Sequence, residues 1–306
     1  MSLLVVGSVA FDSIETAAGK RDEILGGAAS YFATAASFLA RPVQLVAVVG
    51  DDFPASHVET LSQRGIDLAG LQRTKGKTFR WRGRYSKDFT TRTTLDTQLG
   101  VFETFLPSLP DAYREADYVF LANIHPALQL EVLSQVKRRP KLVACDTMNY
   151  WIERTPNELK KTLAKVDLLV INDEEARQLA GEHHLVRAAR AILSLGPKTV
   201  IIKRGDSGAF LFHDDGIFAA PAFPVEEVID PTGAGDSFAG GFMGYLACKD
   251  SLDSQEIRRA MIYGSTLASF AVEDFSLDRL LRLKNSEIAA RFQAFKQLTH
   301  FEELTL

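Results

Sequence analysis

The sequence predicts an α/β protein built on a doubly wound, mostly parallel β-sheet flanked by helices. Short apolar runs recur along the chain with helix-like segments between them: LLVVG, VQLVAVVG, YVFLAN, KLVACD, DLLVIN and TVIIKRG. These runs are continuously apolar rather than alternating, which is typical of strands buried on both faces. Alternation of such strands with helices defines the α/β class.

The composition is ordinary for a globular protein with a large core, with 46% hydrophobic and 24% charged residues among 306. The formal net charge is -4 and no block of lysines and arginines occurs, so neither nucleic acid nor a membrane surface is indicated as a partner. No stretch resembles a signal peptide or approaches the length of a membrane span. We expect a cytoplasmic protein that acts on a small molecule. Cys145 and Cys248 lack metal or disulfide spacing, and we expect both to be buried free thiols.

Polar residues and glycines end nearly all of the apolar runs. In open α/β sheets, ligands bind outside the carboxyl ends of the strands, so residues at these ends should collect along one edge. The residues concerned are Gly7, Gly50, Asn123, Asp146, Asn172, Lys203 and Gly205. The sequence therefore predicts a binding site along this edge of the sheet.

One segment, residues 77–102, breaks the rhythm because it is rich in threonine, arginine and aromatic residues and partly alternates. This pattern predicts a small antiparallel sheet inserted into the core. The insertion is either a structural flap or a lid that excludes water from a reactive site. The predicted division is a core of residues 1–11, 26–71 and 106–306 and a β lid of residues 12–25 and 72–105.

The stretch DPTGAGDSFAGGF places the small residues Gly233, Ala234 and Gly235 directly ahead of Asp236. A backbone without bulky side chains can turn tightly and aim successive N–H groups at one point, which forms an anion-binding nest. Apolar residues at helical spacing follow, so the nest should lie on a helix N-terminus, which favours phosphate. Asp236 is then either a capping acid or a general base beside an anion hole. The second arrangement suits phosphoryl transfer to an alcohol.

The chain after Asp236 is predicted to be helical, with segments around residues 237–248, 254–271 and 285–298. The first of these contains Gly240, Gly241 and Gly244, which are poor helix formers. We expect these glycines to allow close packing of the helix against the sheet.

Three motifs resemble the ribokinase/PfkB family of carbohydrate and nucleoside kinases. DPTGAGDSFAGGF is similar to the C-terminal signature of that family, and GGAASYFATAASFLA, residues 26–40, is similar to its N-terminal Gly-Gly segment. INDEEARQLAG contains its Asn-x-x-Glu pattern as Asn172 and Glu175. Order and spacing agree across nearly the whole chain. The resemblance implies a ribokinase-like fold with a β lid and an ATP-dependent kinase.

The resemblance also implies roles for particular residues on the phosphate side of the site. Asp236 would be the catalytic base, and the N–H groups of Gly233, Ala234 and Gly235 would hold the phosphoryl group. Asn172 and Glu175 would organise Mg²⁺ and the ATP phosphates, largely through water. The remaining implied residues are Lys203, Gly205 and Gly208 for the nucleotide, and Asp230 and Thr232 for a monovalent cation such as K⁺.

On the acceptor side, Asp12 stands where the family places an acid that grips acceptor hydroxyls, and Gly26 and Gly27 would allow close approach of the acceptor. Tyr31 stands where the family usually has an asparagine that contacts the substrate. Aromatic residues near these positions either stack on a nucleobase or simply pack: Tyr31, Phe32, Trp81 and Tyr85. The stretch VEDFSLDRL from residue 272 also replaces the usual Gly-Ala turn of the family, so adenine contacts are not assigned there.

We therefore predict an ATP-dependent, magnesium-requiring kinase that phosphorylates a hydroxyl of a sugar or related carbohydrate. A nucleoside (adenosine-like) kinase and a nucleotide-binding regulator without turnover remain as alternatives. A dinucleotide-dependent oxidoreductase is not favoured, because Gly7 is the only glycine of a G-x-G-x-x-G pattern after the first strand. Because many relatives pair through their lids, a homodimer through the lid is also predicted.

Overall fold

The computed structural model describes residues 1–213, 216–300 and 302. Within them the strands are β1 (Leu3–Val6), β2 (Ala10–Thr16), β3 (Gly19–Gly26), β4 (Val43–Val49), β5 (Ile66–Arg73), β6 (Arg80–Tyr85), β7 (Arg92–Gln98), β8 (Tyr118–Leu121), β9 (Leu142–Asp146), β10 (Leu168–Asn172), β11 (Thr199–Lys203), β12 (Ala209–His213) and β13 (Gly216–Ala220).

The main sheet has the strand order β13-β12-β11-β10-β9-β8-β1-β4-β5. Neighbouring strands run parallel from β11 to β5, whereas β12 and β13 pair antiparallel at one end. The six predicted runs form the parallel strands β1, β4, β8, β9, β10 and β11, which confirms the predicted class. The chain passes from β1 to β4 on one side and returns to β8 on the other. Ligands bind where the strand order reverses in this way.

Helices cover both faces of the main sheet. They are α1 (Ala28–Ala36), α2 (Ala55–Gln63), α3 (Pro126–Gln135), α4 (Asn149–Arg154), α5 (Pro156–Leu163), α6 (Asp173–Ala180), α7 (Leu185–Leu193), α8 (Ala234–Lys249), α9 (Ser254–Ala271), α10 (Asp278–Arg282) and α11 (Asn285–Thr299). Short 3-10 helices occur at Gly100–Thr104, Asp111–Glu115 and Gly205–Ser207. Among the helices described, none combines the length and the apolar character needed to cross a membrane.

The two faces of the sheet belong to separate hydrophobic cores. On β1, Leu3 and Val5 join the core that includes α1, α8 and α9, while Leu4 and Val6 join the core on the side of α5, α6 and α7. Successive side chains of a strand point to opposite faces, so a strand covered on both sides is apolar throughout. This arrangement explains the continuous apolar runs in the sequence.

Helix α8 lies between α1 and α9, and its glycines permit the close approach. A Cβ atom on Gly240 would lie 2.2 Å from the carbonyl oxygen of Phe32 in α1, and one on Gly241 would lie 2.9 Å from Cδ1 of Leu267 in α9. Gly244 also faces α1. Close packing was predicted correctly, but the sheet was the wrong partner, because the glycines face the two neighbouring helices.

A second, smaller sheet has the strand order β3-β2-β6-β7. The pairs β2/β3 and β6/β7 are antiparallel, while β2 and β6 run parallel. Residues 77–102 contribute only β6 and β7, because the other two strands come from the N-terminal part of the chain. The small sheet was predicted, whereas the boundaries between core and lid remain a prediction.

The two cysteines differ in their surroundings. Cys145 is buried in β9, as predicted, but Cys248 is exposed. The prediction for Cys248 was wrong because the residue lies in the last turn of α8, beyond the part of the helix that packs between α1 and α9.

Candidate active site

The carboxyl ends of three adjacent strands form the floor of the site. Strands β9, β10 and β11 end at Asp146, Asn172 and Lys203, and Asn172 lies opposite Lys203 in register. The N-terminus of α8 lies against the end of β11, since a Cβ atom on Gly235 would lie 2.6 Å from Nζ of Lys203. The helix mouth and the strand ends therefore meet at the edge that the sequence predicted.

The backbone that opens α8 requires glycine at its first position. Gly233 is the N-cap residue with φ 73°, and a Cβ atom on it would lie 2.2 Å from Cδ1 of Tyr31. In the described part of the chain, the N–H groups of Gly233 and Gly235 donate to no protein acceptor, whereas the N–H of Ala234 donates to the carbonyl of Pro231 at 3.3 Å. Two N–H groups at a helix N-terminus are thus available to an anion.

Asp236 lies in the first turn of α8 and is half-buried. Burial raises the pKa of its carboxyl, while the positive charges of Lys203 and Arg92 act in the opposite direction. The residue is therefore neither sealed in apolar packing nor fully solvated. A half-buried carboxylate with a raised pKa is suited to act as a general base.

Asp146 is a further member of this cluster. It is 6% exposed, and among the described residues no group forms a hydrogen bond to its Oδ1 atom. Burial raises the pKa of Asp146 well above its ordinary range, and the negative charge of Asp236 raises it further. The sequence placed Asp146 at the site edge but gave it no role. Its position as the polar end of a buried strand was the available signal.

Asn172 and Glu175 form a capping box at the start of α6. Oδ1 of Asn172 accepts the N–H of Glu175 at 2.8 Å, and Oε2 of Glu175 accepts the N–H of Asn172 at 3.0 Å. The capping of the helix alone is a sufficient reason for an asparagine and a glutamate at these two positions. The second carboxylate oxygen of Glu175 stays outside this box, and burial raises the pKa of the residue while Lys203 lowers it.

The loop after Lys203 turns back sharply into β12. Gly205 has φ 55° with open space around its Cα atom, and it begins the 3-10 helix Gly205–Ser207. Gly208 has φ 83°, and a Cβ atom there would lie 2.1 Å from the carbonyl oxygen of Ala220. Both glycines are required by the backbone of the turn. The turn continues from the carboxyl end of β11, the same edge as the cluster.

Asp12 enters the site from β2 and is 5% exposed. The N–H of Gly27 lies close enough to the carboxylate of Asp12 to lower its pKa, and a Cβ atom on Gly26 would lie 2.0 Å from Oδ2 of Asp12. Burial raises the pKa of Asp12 to about 7, and the negative charges of Asp230 and Asp236 add to the effect. The Gly-Gly pair therefore makes room for the buried carboxylate. At Gly27 itself, φ is 91°.

The aromatic residues of α1 are buried. Tyr31 is 1% exposed and its hydroxyl has no hydrogen-bond partner among the described residues. Phe32 is fully buried and stacks on Phe120 with ring centroids 4.4 Å apart. Neither ring is accessible to a nucleobase in this structure. The half-buried Trp81 and Tyr85 of the small sheet remain the candidates for such a contact.

Asp230 connects three segments around the mouth of α8. The residue is fully buried, its Oδ1 accepts the N–H of Thr232 at 2.9 Å, and its Oδ2 accepts the N–H of Ser276 at 3.2 Å. Oγ1 of Thr232 donates to the hydroxyl of Tyr85 at 3.0 Å. Ser276 belongs to the stretch VEDFSLDRL, so this stretch holds Asp230 through a backbone N–H group.

The family model of the pfkB family carbohydrate kinase matches residues 2–281. The chain belongs to the pfkB family of carbohydrate kinases. Family membership confirms the predicted kinase class, since phosphoryl transfer defines that class.

Individual proteins are similar to this pfkB-family chain over most of its length. A cytidine kinase of Thermococcus kodakarensis is 32% identical over 248 residues, covering 79% of this chain and 87% of the relative. A nucleoside kinase of Methanothermobacter thermautotrophicus is 27% identical over 302 residues, 89% of each chain. An E. coli protein assigned as a ribokinase II, solved in complex with ATP and Mg²⁺, superimposes with a TM-score of 0.79 at 19% identity, covering 96% of this chain and 99% of the other. The last match confirms the ribokinase-like fold.

Proposed function

We propose that this pfkB-family chain transfers the γ-phosphoryl group of ATP to a hydroxyl of a nucleoside, with Asp236 as general base. The observation that carries the proposal is the half-buried Asp236 in the first turn of α8, next to the free N–H groups of Gly233 and Gly235. Asp236 accepts the proton of the acceptor hydroxyl while the oxygen of that hydroxyl bonds to the γ-phosphorus. The bond from that phosphorus to the bridging oxygen breaks, which releases ADP. The N–H groups, with Ala234 beside them, neutralise charge on the phosphoryl oxygens.

The donor set at the sheet edge fits a magnesium–nucleotide. The unpartnered Oδ1 of Asp146 and the second carboxylate oxygen of Glu175 are hard oxygen ligands. Within the described residues no group of three or more His, Cys, Asp or Glu side chains could hold a metal alone. Mg²⁺ usually takes one or two carboxylates plus substrate phosphates, so two acids suffice. When bound, Mg²⁺ neutralises charge on the phosphate oxygens.

We propose that Lys203 supports the phosphates from the floor of the site and that Asn172 holds Glu175 in place through the capping box. Lys203 lies at the end of β11, directly under Gly235 at the mouth of α8. Gly205 and Gly208 shape the loop that passes the nucleotide. Adenine contacts are not assigned.

A nucleoside acceptor is favoured over a free sugar by the relatives. Two of the three similar proteins, the cytidine kinase and the nucleoside kinase, carry nucleoside kinase names, and each matches most of this chain. Asp12 would hold acceptor hydroxyls, and Gly26 and Gly27 keep its carboxylate in place. Tyr31 would contribute indirectly, because its ring packs against Gly233 and supports the backbone there. A sugar acceptor is the second candidate, supported by the carbohydrate kinase description of the family.

Two finer properties belong to the same proposal. Each carboxylate oxygen of Asp230 accepts one N–H bond and keeps a further lone pair, so Asp230 and Thr232 stay the candidate K⁺ site. Equal rates in potassium chloride and tetramethylammonium chloride would exclude a K⁺ requirement. Strand β7 is an exposed edge of the small sheet, and such edges pair readily with a second copy, which supports a homodimer through the lid. Light scattering on the purified chain tests it.

The test of the main proposal is a panel of ribonucleosides, deoxynucleosides, ribose and hexoses, each assayed for ADP release with ATP and Mg²⁺. We expect cytidine or another ribonucleoside to give the highest kcat/KM. D236N should lower kcat by about 10² to 10⁴-fold and leave the Kd for ATP within about twofold. D111N, which removes an exposed acid of the 3-10 helix Asp111–Glu115, is the matched control and should retain turnover. Near-normal turnover of D236N would refute the role of Asp236. ATP binding without turnover for every acceptor would support the regulator instead.

A further inference from the structure

Arg92 is the first residue of β7 in the small sheet and lies directly opposite Tyr85 of β6. Residues opposite one another on paired strands share a face of the sheet. The side chain of Tyr85 reaches the core, where its hydroxyl accepts the hydrogen bond of Thr232. Arg92 therefore lies on the face of the small sheet that is turned toward the mouth of α8.

The guanidinium of Arg92 is an exposed cation, and among the described residues no carboxylate lies within ion-pair distance of it. The guanidinium lies over the ring of Trp81, with 5.7 Å between Cζ of Arg92 and the ring centroid. The positive charge of Arg92 nevertheless lowers the pKa values of Asp236 and Glu175, and that of Tyr85. The register with Tyr85 and the contact with Trp81 place the cation on the face of the small sheet that is turned toward the core, and its charge acts on the proposed base and on the proposed metal ligand.

Two cations approach the space around the proposed base and the proposed metal ligand from opposite sides. Lys203 lies below it on the sheet edge, with its ammonium group next to the Cα atom of Gly235. Arg92 approaches from the small sheet, on strands that the core holds through Tyr85. In the described part of the chain, the charged side chains around this space include Lys203, Arg92, Asp146, Glu175 and Asp236, with Asp12 on the acceptor side.

We propose that Arg92 is a further catalytic residue of the phosphoryl transfer, which reaches from the small sheet to the oxygens of the group in flight. This inference rests on the proposed function. Arg92 forms no covalent bond and exchanges no proton; its planar guanidinium donates hydrogen bonds to two phosphoryl oxygens at once. Charge on those oxygens is stabilised in the transition state, so the effect belongs in kcat. Closure of the small sheet would then complete the catalytic set.

The other arginines of β6 provide the control. Arg82 and Arg84 alternate with Trp81 and Tyr85 along the strand, so they lie on the opposite face. Arg84 forms an ion pair with Glu15 at 3.0 Å, whereas Arg82 is exposed. R82Q therefore removes the same charge from the same sheet without touching the site.

The experiment compares R92Q, R92K and R82Q in the full chain, with ATP, Mg²⁺ and the panel member of highest turnover. We expect R92Q to lower kcat by about 10² to 10³-fold, which is somewhat less than the effect of removing an arginine finger. The KM for ATP should stay within about threefold of that of the unchanged protein. R92K should retain part of the activity, because an ammonium supplies charge without the planar fork. Millimolar guanidinium chloride should restore part of the kcat of R92Q. R82Q should stay within about twofold of the unchanged protein.

A binding measurement separates charge stabilisation from structural damage. By calorimetry, R92Q should bind ADP with aluminium fluoride and acceptor at least about tenfold more weakly, while its Kd for ADP alone stays within about twofold. Equal weakening of both ligands, or a lowered Tm, would assign Arg92 a structural role and overturn the inference. Near-normal kcat in R92Q would overturn it while the proposed function stands. An unchanged protein inactive toward every acceptor would overturn both.

Discussion

Thr232 donates a hydrogen bond to the hydroxyl of Tyr85 across 3.0 Å, and this bond joins the loop before α8 to the small sheet. Thr232 directly precedes Gly233, whose N–H group is proposed to face the phosphate. The position of the small sheet is thereby coupled to the backbone of the anion site. Closure of the small sheet over the acceptor would bring Arg92 and the N-terminus of α8 to the same phosphoryl group.

Removal of this hydroxyl should loosen the closed state. We expect Y85F to raise KM for the acceptor by about fivefold, because a neutral hydrogen bond contributes about 1 kcal/mol. Steady-state kinetics at saturating ATP measures the change. Y245F is the matched control, since the hydroxyl of Tyr245 bonds Glu256 at the far end of α8. Equal KM values for Y85F and the unchanged protein would show that the bond does not contribute to acceptor binding.

The glycine at the N-cap of α8 should not tolerate a methyl group. In G233A the added Cβ would lie 2.2 Å from the ring of Tyr31, at a residue with φ 73°. We expect overpacking and backbone strain together to lower the free energy of unfolding by about 2 to 4 kcal/mol, and kcat to fall because the N–H groups move. Urea denaturation and ADP release measure the two effects.

G65A separates strain from packing. Gly65 has φ 77° but no atom within 4 Å of a Cβ built on it, so this variant has the strain without the collision. It should lose only about 1 kcal/mol and keep its activity. If G233A lost no more stability than G65A, the ring of Tyr31 would not be the support of Gly233.

The strands and helices with strong local patterns could be predicted from the sequence. The six continuous apolar runs became parallel strands, and the predicted segments 237–248, 254–271 and 285–298 lie within α8, α9 and α11. Strand β5 was not predicted because it lies at the end of the sheet and is only partly buried, so its sequence is not continuously apolar.

Residues of the candidate site could be named from the sequence where they belong to one local motif, and could not be named where only tertiary contacts bring them together. Gly233 and Asp236 belong to one helix start, which a short motif specifies. The proposed role of Arg92 depends on the register of β7 against β6, and no spacing along the chain shows this register. Asp146 was noticed as a strand end, but its unpartnered oxygen is a property of the packed structure.

Asp12 should make the stability of the fold depend on pH. Its pKa is raised from 3.8 to about 7, so its stabilising contribution is present below the unfolded pKa and is lost as pH rises through 7. D12N removes this dependence. From pH 5 to pH 8, the unchanged protein should therefore lose about 2 to 3 kcal/mol more stability than D12N. The expected slope is about 1.4 kcal/mol for each pH unit up to pH 7. Urea denaturation at both pH values is the measurement. Parallel losses in the two proteins would show that Asp12 is not the buried acid responsible.

Lys203 should set the acid limb of the activity profile. Its positive charge lowers the pKa of Asp236 against the effect of burial, and the base must be ionised to accept a proton. In K203M that charge is gone, so the pKa of Asp236 rises and the acid limb of kcat/KM for the acceptor moves to higher pH. K198M is the control, because Lys198 precedes β11 and lies at the opposite edge of the sheet. An acid limb at the same pH in both variants would mean that the group titrating in the profile is not Asp236, even if K203M is slow for want of a phosphate contact.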